Sequence, residues 1–157
     1  MVRTLGILAL ALGLVACAPK TPAPPTPAEI AAIGEAAHKA YVDAINSNDA
    51  AKVAAVLTDD IVYQAPHEPE IVGKAAVRAW VERYFGAYST VWKKTALDFI
   101  VAGDWAFERY AYESTDTPKA GGVALTDKGK GLNIYHKDAD GVWRVARDSW
   151  SSDLPVK

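Results

Sequence analysis

The chain is poor in the residues that would reveal its chemistry quickly. Among 157 residues there is one cysteine, Cys17, so an intramolecular disulfide or a zinc cluster of thiolates is excluded. No charge of one sign dominates: 17 Lys and Arg stand against 19 Asp and Glu, a net charge of −2, and the basic residues are scattered. The chain therefore has no basic stripe to hold a nucleic acid, and none is expected as a partner. The three histidines, His38, His67 and His136, fall on different segments. "HEPE" (67–70) reads as a solvated loop and not a metal site, and neither a metal nor a cofactor is expected. "GKG" (129–131) lacks the strand–loop–helix setting of a phosphate loop. No internal repeat is present. The apolar run from Leu5 to Leu14 is too short for a permanent membrane span.

That run has another use. Arg3 precedes it and "LVAC" (14–17) closes it, which resembles a bacterial lipobox. Residues 1–16 then read as a signal peptide, and Cys17 as the lipidated first residue of the mature chain. The other reading is a plain secretory signal with a chance Cys. Ala18, in place of Asp, resembles an outer-membrane sorting signal, which suggests the periplasmic face of that membrane. Residues 17–27 add a Pro-rich tether, "APKTPAPPTP" from 18 onward. In polyproline II form it advances roughly 3 Å per residue, holding the domain about 30 Å off the membrane at most.

Residues 28–157 are one domain, and half of the whole sequence is apolar. Ile30, Ile33, Ala37, Tyr41 and Ile45 recur at helical spacing and predict a helix over 28–47. Asp49 is a good N-cap for a short helix over 50–57. "IVYQA" (61–65) reads as a strand, and Pro66 and Pro69 make the next stretch a loop. Val77, Trp80, Val81, Tyr84 and Phe85 lie on one face of a helix over 74–86. Strands are expected at 91–101, 104–115, 122–137 and 142–152, with tight-turn signals at "AGD" (102–104) and "DADG" (138–141). The class is α+β, with three N-terminal helices on one face of a curved, mostly antiparallel sheet.

The last strand carries the sharpest question. "GVWRVARDSWSSDLP" (141–155) holds Arg147 beside Asp148. Successive side chains of a strand point to opposite faces, so one of the two faces the interior.

The order of elements, with "YVDAINSNDAAKVAAVLTDDIVY" (41–63), "GKAAVRAWVERYF" (73–85) and "DGVWRVARDSWSSDLP" (140–155), resembles the nuclear transport factor 2-like superfamily in its SnoaL-like and ketosteroid isomerase-like branch. The resemblance implies a cone: a curled sheet and helices enclosing a pocket, with the convex face often forming a dimer. It fixes no activity, because such a fold serves isomerases, lyases and plain binding modules. The steroid isomerase's oxyanion-donating tyrosine falls on Tyr41 and its second donor on Asn133. Its general base falls on Ala65, whose methyl group cannot carry a proton, so steroid isomerisation by that route is not expected.

The resemblance also puts Trp150 inside the cone. Period two then sends Asp148, Ala146 and Arg144 inward and Val145, Arg147 and Ser149 outward. Asn133 and Tyr135 face in from the preceding strand, with Gly131 leaving room. Glu108 and Tyr110 are favoured as inward residues of strand 104–115, and Trp80 and Tyr84 come from the third helix. Asp148, Tyr41 and Asn133 are thus the candidate catalytic residues. Trp80, Tyr84, Glu108, Tyr110, Tyr135 and Trp150 are the candidate ligand contacts. Asp148 is either free in the pocket or paired with Arg144 or Arg109. The expected function is binding of a small apolar or aromatic molecule, with isomerase or lyase chemistry through Asp148 if the domain is an enzyme. The alternative is a non-catalytic envelope module. Trp143, Val145 and Ile134 are the expected dimer face.

Overall fold

The structure, a computed structural model, describes residues 23–155; the lipobox, Cys17 and the first part of the tether lie outside them. Thr26 and Glu29 form a reciprocal capping box, and Pro27 sits in the first turn, so helix α1 (Pro27–Asn46) begins where its orphan N–H groups find partners. Its buried line is Gly34, Ala37, Tyr41 and Ala44, while Ile30, Ile33 and Ile45 flank it half-exposed. Small residues let the helix approach the sheet: a Cβ on Gly34 would come within 2.9 Å of the Phe99 ring. Asp49 caps α2 (Ala50–Ala55) by accepting from the N–H groups of Ala51 and Lys52. Strand β1 (Leu57–Gln64) starts earlier than expected and takes in Thr58, Asp59 and Asp60. A two-residue strand β2 (Ile71–Val72), unsignalled by so short a run, precedes α3 (Lys74–Ala87).

The long strands follow: β3 (Tyr88–Ala102), β4 (Trp105–Pro118), β5 (Leu125–Lys137) and β6 (Trp143–Ser152). They form one six-stranded sheet in the order β2-β1-β6-β5-β4-β3. All pairings are antiparallel except β1 with β6, which places Tyr63 beside Asp148. The core lies between the concave face and the helices and is built from Tyr41, Val53, Leu57, Ile61, Val77 and Tyr135, among others.

Strand β6 departs from the expected alternation at two residues, Arg144 and Val145. The β5–β6 register shifts between Ile134 and Tyr135: Ile134 pairs with Arg147, but Tyr135 pairs with Val145, leaving Ala146 over. This bulge inverts the alternation on its N-terminal side. Val145 therefore points into the core at 1% exposure, and Arg144 points away to ion pairs with Asp138 and Asp140. Val145 cannot serve a dimer face, and Trp143 packs partly against the core. On the C-terminal side the expected phase holds. Asp148 faces in at 4% exposure, and Arg147 turns out to the Asp60 carbonyl and carboxylate.

Candidate functional site

The helices and the concave face of the sheet converge on one cavity of about 330 Å³. Tyr41 comes from α1, Tyr63 from β1, Trp80 and Tyr84 from α3, Trp92 and Lys94 from β3, and Asp148 and Trp150 from β6. Its aromatic walls brace one another. Trp80 stacks on Tyr84 with ring centres 5.4 Å apart, and Trp150 meets Tyr63 edge-on at 5.7 Å. Ala65 also lines the cavity, and its methyl group carries no proton chemistry.

Asp148 is the hub. Its Oδ2 accepts the Tyr41 hydroxyl at 2.6 Å and its Oδ1 the Tyr110 hydroxyl at 2.9 Å. A phenol has a single proton, so Tyr41 has none left for Tyr63. The Tyr41–Tyr63 contact of 2.7 Å is then a bond donated by Tyr63. A directed chain results: Tyr63 to Tyr41 to Asp148, with Tyr110 donating from below. Burial, and then the charge of Asp148, push the hydroxyls of Tyr41, Tyr63 and Tyr110 above the ordinary phenol range. Gly131 makes the geometry possible. A Cβ there would lie 2.6 Å from the Ser149 carbonyl oxygen and would overlap the Tyr110 ring. Neither expected arginine reaches Asp148: Arg109 pairs with Asp98 on the outer face, and Arg144 with Asp138 and Asp140.

Lys94 is the cation of the cavity, and at 8% exposure it is a buried one. Its Nζ donates to Asn133 Oδ1 at 2.8 Å and lies 3.6 Å from the Tyr110 ring centre and 4.5 Å from that of Tyr41. Burial pulls its pKa below the usual lysine value, against the opposing charges of Asp148 and Glu108. Sequence reasoning did not single out Lys94. The signal was available: Trp92 and Lys94 are two residues apart and so share a face of β3.

The sequence-predicted residues divide into two groups. Tyr41, Trp80, Tyr84, Asp148 and Trp150 meet at the cavity. Asn133, Glu108, Tyr110 and Tyr135 face the same interior but do not line it. Tyr110 supports Asp148, and Asn133 supports Lys94 while its buried Nδ2 has no partner among the described residues. Glu108 forms a second cluster under α1, where it accepts the Tyr135 hydroxyl at 2.7 Å and contacts His38 Nδ1. Three further carboxylates line the cavity. Asp116 accepts from Thr90 Oγ1, Asp127 accepts from Tyr112 and Ser152, and Glu68 stands on the exposed loop after Pro66.

A family model for the SnoaL-like domain matches residues 38–148. No curated protein matches the chain. Among solved structures, a ketosteroid isomerase-like protein from Erwinia carotovora atroseptica SCRI1043 is 34% identical, with a TM-score of 0.75 over 83% of this chain and 100% of that one. A candidate dehydratase of the NTF2-like family from Streptomyces avermitilis is 15% identical, with a TM-score of 0.72 over 82% of this chain and 100% of its own. A hexachlorocyclohexane dehydrochlorinase (LinA) of type 2 is 14% identical, with a TM-score of 0.68 over 79% of this chain and 85% of its own. At such low identity the last two share the fold alone.

Proposed function

The chain belongs to the SnoaL-like domain family, and on that footing we propose that it binds a small apolar or aromatic molecule in its cone and moves a proton on it through Asp148. The observation that carries this reading is a buried carboxylate at an aromatic-walled cavity, held by two tyrosine hydroxyls and, among the described residues, by no arginine. Two donated hydrogen bonds orient the carboxylate and leave its remaining lone pairs for a ligand proton. The reaction class is isomerisation or elimination. Both need a proton taken from carbon, and the fold neighbours include proteins named for such reactions. Native mass spectrometry of the purified protein should show a co-purified small molecule that denaturation releases. A protein that carries none, and takes up no aromatic compound from a panel, would count against the reading.

A second reading, an interaction module, draws on the outer face of the sheet. Ile100, Phe107 and Ile134 lie side by side on β3, β4 and β5 and are 36–48% exposed. A second copy packed on this row would cover it, and sedimentation as a dimer is the expected result. The lipobox-like "LVAC" supports a chain tethered through Cys17 to the cell envelope, on the periplasmic face of the outer membrane. Cys17→Ser should leave the protein unprocessed or free of the membrane fraction.

A further inference from the structure

We propose that Lys94 is the catalytic electrophile of this pocket: its ammonium, and not Tyr41 or Asn133, takes the carbonyl oxygen of an uncharged aromatic or alicyclic ketone. This rests on the pocket-binding reading above. The one Tyr41 proton goes to Asp148, and Asn133 does not line the cavity and offers its oxygen to Lys94. Lys94 has three protons and, among the described residues, one hydrogen-bond acceptor, with its ammonium over the Tyr110 and Tyr41 ring faces. A ligand oxygen in the cavity meets an ammonium with hydrogen-bonding capacity to spare. Burial lowers the pKa of Lys94, and the carboxylates of Asp148 and Glu108, with those ring faces, work against that shift.

The charge around the cavity selects the ligand class. Glu68, Asp116 and Asp127 line it along with Asp148, and Lys94 is the one cation among the lining residues. An acid would meet net negative charge, whereas a neutral carbonyl would not. In the step, Asp148 takes the proton from the carbon next to the carbonyl. The C–H electron pair becomes the C=C bond, and the carbonyl π pair moves to oxygen as an enolate. Lys94 holds that oxygen by a charge-assisted hydrogen bond. Asp148 then returns the proton to carbon, and nothing else is consumed.

The test uses three probes of one shape: acetylnaphthalene, ethylnaphthalene and naphthoate. Binding is read by tryptophan fluorescence, since Trp80, Trp92 and Trp150 line the cavity. Wild type should prefer the ketone to the hydrocarbon by about tenfold, the worth of a hydrogen bond to a charged group, and should bind the acid worst. In heavy water it should exchange the acetyl protons. Lys94→Met, checked for folding by circular dichroism, should lose the preference and the exchange while still binding ethylnaphthalene. Equal wild-type affinity for ketone and hydrocarbon overturns the inference without reference to any variant. So does undiminished exchange in Lys94→Met, or covalent capture of Lys94 by borohydride with the ketone, which requires a neutral amine. If no probe binds, the pocket-binding reading itself falls, and this inference with it.

Discussion

Two buried carboxylates stand on the concave face, Asp148 on β6 and Glu108 on β4, and both pair across Asn133 on the strand between them. Each is buried and each accepts a tyrosine hydroxyl. Their surroundings differ. Glu108 is 0% exposed and is closed off beneath α1 by His38 and Tyr135. Asp148 keeps one side on the cavity, where Lys94 and the aromatic walls stand. Under the proposed function, the same residue chemistry serves cohesion at one end and ligand handling at the other. Access decides the difference, because a carboxylate that no ligand can touch can only hold the fold together.

The comparison can be broken at several points. Glu108→Ala should have the largest effect, a loss of roughly 3 kcal/mol or more in unfolding free energy, because it strands the Tyr135 hydroxyl and the His38 ring and opens a void. Denaturant unfolding checks it, and a loss under about 1 kcal/mol would mean the sealed end does not carry cohesion. Gly131→Ala should cost about 1–3 kcal/mol by overpacking, since the new methyl group meets both the Ser149 carbonyl and the Tyr110 ring. It should also displace Tyr110 from Asp148, so any proton exchange should fall with it.

Asp148→Asn sharpens the contrast. It should abolish proton transfer while costing only about 1–2 kcal/mol, because one amide oxygen still accepts one of the two phenols. If Asp148→Asn destabilised more than Glu108→Ala, the division of labour drawn here would be reversed. Tyr63→Phe removes the first donor of the relay and should cost about 1 kcal/mol, read as a small drop in Tm.

The smallest effect at neutral pH concerns the phenols. Tyr41, Tyr63, Tyr84, Tyr110, Tyr112 and Tyr135 all have hydroxyl pKa values raised, with burial as the first cause. The folded state keeps these protons where the unfolded state releases them. Their stability contribution is therefore full below the unfolded value of about 10 and is lost as pH rises above it. Melting curves should be flat in this respect near neutrality and should fall steeply above about pH 10.

Much of the interior was legible from the chain. With the inward phase taken from the family resemblance, period two along β4, β5 and β6 places Glu108, Tyr110, Asn133, Tyr135, Asp148 and Trp150 on the concave side, and all six are there, because a regular strand alternates its side chains between two faces. The same rule misplaced Arg144 and Val145, since one unpaired residue at Ala146 reverses the phase and no residue type in "RVARD" announces it. Lys94 escaped notice because a lysine beside a second lysine reads as solvated surface, whereas its ammonium lies over the rings of Tyr41 and Tyr110, which are distant in sequence.

The sequence by itself determined the helices, the long strands and their order, because capping, periodicity and turn chemistry act between residues a few positions apart. Only the tertiary structure decided which inward residues a ligand could reach. That choice depends on how α1 seats its small residues on β3 and how the β1–β6 pairing brings Tyr63 to Asp148. It depends also on where Tyr41 and Tyr110 send their single protons. Those contacts join residues 38 and 107 positions apart, and no local rule acts over such distances.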